Sequence, residues 1–261
     1  MRLPHHVVDG RTESPALILG PSLGTSLRLW EAQVPALARG LRVIRYDLPG
    51  HGGSPAALLR ERREHTVAAL GDLVLGLADA LGVERFAYAG VSLGGAVGAW
   101  LAVHRPERVT SLALVCASAR FGEPGAWQER AAQVRAEGVA WLAASAPDRW
   151  FAPGFAATKT ARALIADQAA VAPDGYAACC EALAAYDLGG RLGHITAPTL
   201  VIAGRQDAAT PPAHARELAD GIARSTLVEI DGAGHLAPAE RPSSVLAALT
   251  AHFGIPSEDP S

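Results

Sequence analysis

The stretch Phe86-Ala87-Tyr88-Ala89-Gly90-Val91-Ser92-Leu93-Gly94-Gly95 constrains the fold more than any other part of the chain. An apolar run ends in Gly-x-Ser-x-Gly and passes at once into Ala96-Val97-Gly98-Ala99-Trp100-Leu101-Ala102, a small-residue segment that reads as a helix. Strand, sharp turn and helix in that order put a serine on a strained corner with its hydroxyl above a sheet. Gly90 and Gly94 suit a place where strand and helix approach too closely for a Cβ. Ser92 is the candidate nucleophile.

Around this stretch, apolar runs alternate with helical patterns. Residues 16–19 form a short apolar run closed by Gly20-Pro21, and residues 41–46 form another. A helix is expected over 30–38. From 66 to 81 apolar residues recur at helical spacing (Val67, Leu70, Leu73, Val74, Leu77, Leu81) before Gly82. A strand follows over 109–116. From about 120 to 194 the patterns are helical only, with helices expected over 127–139, 158–170 and 176–185. Pro124, Pro147, Pro153 and Pro173 read as separators. The alternation resumes with a strand over 199–203, a helix over 213–222, a strand over 225–230, a loop to Glu240 and a helix over 243–253. Such alternation implies a mostly parallel sheet flanked by helices, an α/β fold. The expected organisation is a core of residues 1–120 and 195–261 with a helical lid of 121–194. The tail beyond Gly254 is expected to be loose.

Composition removes several function classes. A formal net charge of −3 gives no electrostatic case for nucleic acid or an anionic membrane. Cys116, Cys179 and Cys180 cannot all pair, and there is no Cys-x-x-Cys, so a reducing cytoplasmic setting is expected. Met1-Arg2-Leu3-Pro4-His5-His6 lacks the apolar core of a signal peptide. No apolar run approaches the roughly 20 residues of a membrane span. No pair of histidines has metal-ligand spacing with a supporting carboxylate, so neither metal nor cofactor is expected.

A serine hydroxyl needs a base, an acid that orients the base, and donors for the oxyanion. Asp207 follows the strand at 199–203, and His235 follows the strand at 225–230 in Asp231-Gly232-Ala233-Gly234-His235. Both fall in loops at the carboxyl ends of parallel strands, where α/β sheets carry their sites. Asp231 is the rival acid; Asp207 is preferred because a separate loop can reach the far side of the imidazole. Gly20-Pro21-Ser22-Leu23-Gly24 repeats the Gly-x-Ser-x-Gly pattern, but no small-residue helix follows it. Its position after the first strong strand suits an oxyanion loop instead. The backbone N–H groups of Leu23 and Leu93 are the expected oxyanion donors. His51, in a glycine-rich loop, is a further candidate for the lining.

These motifs, with Asp47-Leu48-Pro49-Gly50-His51-Gly52-Gly53-Ser54, resemble the α/β-hydrolase superfamily over nearly the whole chain. Four segments, 22–30, 42–47, 88–95 and 175–183 with Cys179-Cys180, resemble the 3-oxoadipate enol-lactonase family more narrowly. That resemblance implies hydrolysis of a small-molecule lactone carrying a carboxylate through an acyl-enzyme, in aromatic catabolism. It also implies a basic residue near the site. Arg130, Arg135 and Arg149 are candidates, with Trp127 and Trp150 as apolar walls. A general carboxylesterase or a cofactor-free haloperoxidase-like hydrolase is the alternative, and a non-catalytic ligand-binding protein is the rival of another class. A homo-oligomer is compatible with the sequence.

Overall fold

In the computed structural model, residues 2–60 and 65–255 are described. Seven strands form one sheet: β1 (His6–Asp9), β2 (Ala16–Gly20), β3 (Arg42–Tyr46), β4 (Phe86–Val91), β5 (Val109–Val115), β6 (Thr199–Gly204) and β7 (Ser225–Ile230). Their order is β1-β3-β2-β4-β5-β6-β7, with β1 antiparallel to β3 and every other pair parallel. The helices, in chain order, are α1 (Val34–Leu37), α2 (Ala57–Arg60), α3 (Val67–Ala80), α4 (Leu93–His104), α5 (Pro124–Glu137), α6 (Ala140–Trp150), α7 (Lys159–Ala169), α8 (Pro173–Ala184), α9 (Pro212–Gly221), α10 (Ala237–Glu240) and α11 (Pro242–Phe253).

The central strands are buried on both faces, which is why they read as continuous apolar runs. Ile18, Ile44, Tyr88, Leu112, Leu114 and Val201 point into one core, shared with α3, α4 and α9. Leu17, Leu19, Val43, Ala89, Val115 and Ile202 point into the other, shared with α1 and α11. The segment between β5 and β6 contains α5, α6, α7 and α8.

Several elements differ from the sequence expectation. The edge strand β1 was missed: its four residues are mostly half-buried, so no long apolar run marks them. The helix expected over 30–38 is a 3₁₀ turn, Leu27–Trp30, and the single turn α1. Pro124 and Pro173 start α5 and α8 rather than separating elements, because the first turn of a helix needs no donor there. Pro147 lies inside α6, a helix the sequence reading left out. The loop to Glu240 contains α10. The tail expectation concerns 256–261, outside the described residues.

Candidate active site

β4 ends at Val91 and α4 begins at Leu93, leaving Ser92 alone on the corner. Its φ of 54° is positive; among the described non-glycine residues only Cys116, at 46°, shares this. Such a conformation costs on the order of 1–3 kcal/mol and persists only where its surroundings over-determine it. Here they do. Ser92 N–H donates to the Val115 carbonyl at 3.0 Å, and the Ser92 carbonyl accepts from Ala96 at 2.9 Å. A Cβ on Gly90 would lie 2.2 Å from the Gly94 carbonyl carbon, and one on Gly94 would lie 2.6 Å from that of Gly20. Strand, helix and the β2 loop therefore meet without side chains between them. Leu93 is the first residue of α4, so its N–H has no acceptor within the helix.

The β2 loop faces this corner. Ser22 carbonyl accepts from Thr25 N–H at 3.1 Å, closing a turn whose third residue, Gly24, has φ +85°. This is the type II arrangement, which needs glycine at that place.

His235 and Asp207 arrive from the loops after β7 and β6. His235 Nδ1 lies 2.9 Å from Asp207 Oδ2, and both side chains are buried. Asp207 Oδ1 accepts the N–H groups of Ala209 and Thr210 at 2.8 and 2.9 Å. Thr210 Oγ1 lies 2.7 Å from Oδ2 and 2.9 Å from the Cys116 carbonyl, so its proton has two possible acceptors. Burial alone would raise the Asp207 carboxyl, but His235 and Thr210 together hold it below its ordinary value. A carboxylate so held keeps the Nδ1 proton and leaves Nε2 free to take another. The rival Asp231 is exposed and pairs with Arg205 at 2.8 Å.

The histidine loop is fastened from behind. Trp150 carbonyl accepts His235 N–H at 2.8 Å. Glu240, on α10, accepts Gly234 N–H at 2.9 Å and Ala152 N–H at 2.7 Å. Burial raises the Glu240 carboxyl despite these two bonds.

Ser92, His235, Ser22, Leu23, Trp127, Arg130, Arg149, Trp150 and Tyr176 line one cavity of about 180 Å³. Ser92 and His235 lie on its sheet side, and the helices between β5 and β6 supply the arginines, both tryptophans and Tyr176. Arg149 donates to the Tyr176 hydroxyl; burial, helped by Arg130, pulls its guanidinium below the ordinary value. Arg130 lies over the Trp127 ring at 4.9 Å. Neither arginine meets a carboxylate among the described residues. Cys180 does not supply the missing charge, since burial pushes its thiol up to about 12. Arg135 is placed elsewhere: it pairs with Glu181 at 2.5 Å and lines a separate hollow with His65 and Asp174. His51 is fully buried behind the β2 loop and does not line the cavity.

Thr210, Tyr176 and Glu240 escaped the sequence reading. Thr210 carries a weak signal, three residues after Asp207 as in an Asp-headed turn. Tyr176 and Glu240 carry none, because their roles depend on packing between distant elements.

A family model described as alpha/beta hydrolase fold matches residues 15–161, and one described as TAP-like protein matches 184–257. The chain is 38% identical to 3-oxoadipate enol-lactonase 2 of Acinetobacter baylyi, over 92% of this chain and 89% of that one. It is 36% identical to a protein of Variovorax paradoxus provisionally named carbamate hydrolase RutD, over 88% of each. Among solved structures it is similar to the enol-lactonase from Burkholderia xenovorans, with TM-score 0.90, 35% identity and 96% of each chain covered.

Proposed function

The chain belongs to the α/β-hydrolase family, and on that premise we propose that it is a serine hydrolase opening a carboxylate-bearing enol-lactone, that of 3-oxoadipate. Ser92 is the nucleophile, His235 the base, and Asp207 the group that orients the base. Ser92 Oγ attacks the lactone carbonyl as His235 Nε2 takes its proton. The oxyanion is held by the N–H groups of Leu93 and Leu23, each contributing about 3 kcal/mol at the transition state. Collapse breaks the ring C–O bond, and the leaving oxygen departs as an enolate that takes a proton and tautomerises to the ketone. Water, deprotonated by His235, then attacks the acyl-enzyme; the acid is released and Ser92 Oγ regains its proton. No step calls for a metal or cofactor.

One observation carries the substrate class: two guanidinium groups without a carboxylate partner among the described residues share the cavity with Ser92 and His235. A half-buried cation with no countercharge leaves its desolvation uncompensated, so a site holding two is suited to an anionic ligand. Arg149 and Arg130 are the proposed carboxylate ligands, with Trp127 and Trp150 as apolar walls. The helical segment 121–194 acts as the lid over them. The three free, buried cysteines suit a cytoplasmic setting. No helix among the described residues is long and apolar enough to cross a membrane.

The test compares kcat/KM for the enol-lactone with that for neutral aryl esters, in the natural chain and in Ser92→Ala. The proposal expects the lactone to be strongly preferred and both activities to vanish in the variant. Equal or better turnover of neutral esters would support the general carboxylesterase reading instead. Turnover of a carbamate in parallel tests the alternative raised by the Variovorax relative.

A further inference from the structure

The oxyanion loop is held by a second histidine that touches no reacting atom. His51 Nε2 lies 3.0 Å from Gly24 N, and His51 Nδ1 lies 2.9 Å from the Pro49 carbonyl. A backbone N–H can only donate and a carbonyl can only accept. The ring is therefore the neutral tautomer with its proton on Nδ1 and a lone pair on Nε2. Gly24 N–H belongs to the central peptide of the Ser22–Thr25 turn. Type I and type II turns differ by a flip of that peptide, and glycine at the third place tolerates both. In the observed turn Nε2 receives the N–H. After a flip it would face the Leu23 carbonyl, acceptor against acceptor.

We infer that His51 is a positioning residue: as a neutral acceptor it holds the central peptide of the turn in the type II orientation and so anchors, from the Gly24 side, the loop on which Leu23 presents its N–H to the oxyanion. The inference rests on the reading of Ser92 as nucleophile and Leu23 as a donor. The surroundings enforce the neutral form. His51 is fully buried, and that burial lowers its pKa to about 4 against the opposing effects of the Pro49 hydrogen bond and Asp47. Asp47, the charge that acts on the ring, is itself engaged by Leu27 N–H, Gly53 N–H and His5 Nδ1. On the other side the ring stacks on neutral Tyr176 at 6.2 Å, whose hydroxyl accepts from Arg149. Protonation would place an Nε2–H against Gly24 N–H, donor against donor, and favour the flipped turn.

Two variants separate acceptance from bulk. Gln can put its amide oxygen where Nε2 sits and does not titrate; Leu fills space without an acceptor. Turnover of 4-nitrophenyl acetate is measured for the natural chain, His51→Gln and His51→Leu, with thermal melts as the control for folding. Loss of that turnover in Ser92→Ala establishes the nucleophile separately, so failure of that reading is distinguishable. The expected result is kcat in His51→Leu down about 10- to 100-fold with KM little changed, and kcat in His51→Gln within about threefold of the natural chain. The pH profile adds a readout that bulk packing would not move. In the natural chain protonation of His51 adds one unit to the slope of the acid limb of log kcat/KM near pH 4. His51→Gln lacks that added unit. Should His51→Leu not fold, that change of slope decides alone. The inference is overturned if folded His51→Leu keeps its kcat, if both variants lose it equally, or if the slope is the same in His51→Gln and the natural chain.

Discussion

Asp207→Asn replaces one carboxylate oxygen by an NH2, and the donors around the carboxylate decide which one. Oδ1 accepts two backbone N–H groups, from Ala209 and Thr210. The amide oxygen must stay there, since an NH2 would meet two donors. The NH2 then takes the place of Oδ2, 2.9 Å from His235 Nδ1. An amide NH2 only donates, so Nδ1 facing it accepts and the imidazole proton moves to Nε2; the amide oxygen, 3.1 Å from Nδ1, is the competing acceptor for the other tautomer. Nε2 is the nitrogen proposed to deprotonate Ser92. Thr210 Oγ1, 2.7 Å from the same position, can still turn its proton to the Cys116 carbonyl, so the packing survives. The variant should fold, keep KM within about threefold and lose about 10⁴ in kcat, or roughly 5.5 kcal/mol, as a wrong tautomer does in the serine-protease triad. Steady-state kinetics and the rate of labelling by a fluorophosphonate measure it. The exposed Asp231→Asn serves as the control. A fall of less than about tenfold in folded Asp207→Asn, or a comparable fall in Asp231→Asn, refutes the assignment.

Gly90→Ala forces a Cβ to 2.2 Å from backbone at Gly94, where nothing can yield, and should cost about 3 kcal/mol or more in urea unfolding. Arg149→Leu should lower the preference for the anionic lactone over a neutral aryl ester by about 10- to 100-fold; an unchanged preference would remove the guanidinium from substrate recognition. Glu240→Gln sets an NH2 against either Gly234 or Ala152 N–H and should destabilise the fold by roughly 1–3 kcal/mol, read by urea unfolding. The lowered pKa of His51 also bears on stability. Between pH 6.5 and about 4 the unfolded chain binds a proton that the native chain refuses. Stability therefore falls as pH falls across that window, by at most about 3 kcal/mol from this group. Urea unfolding of the natural chain and His51→Gln at both ends of the window should show the smaller pH dependence in the variant.

The corner of the candidate site was legible because it is written in contiguous residues. Gly-x-Ser-x-Gly after an apolar run admits few backbones, and Ser92 sits on that corner with φ 54°. The second Gly-x-Ser-x-Gly was separable from the first by the missing helix, and it forms the turn opposite Ser92. Its place on a separate loop pointed to Asp207 over Asp231, and Asp207 is the carboxylate beside His235 Nδ1. Continuous apolar runs marked the central strands because both of their faces are buried.

What depends on packing across the chain was not legible. Arg130, Arg135 and Arg149 look alike in the sequence, each on a helix with no decisive neighbour. The direction each faces follows from how α5, α6 and α8 sit on one another, which leaves two arginines in the cavity and ties the third to Glu181. Pro147 read as a break, yet α6 runs through it and ends at Trp150, whose carbonyl holds His235. Glu240 and His51 looked like loop residues because their partners lie far along the chain. The sequence by itself determined where six of the seven strands fall along the chain and the corner that carries Ser92, since backbone sterics and strand burial act over a few residues. Only the tertiary structure decided which charges go unpaired and which lone pair meets Gly24, because a hydrogen bond or an uncompensated charge is a property of two distant groups brought together.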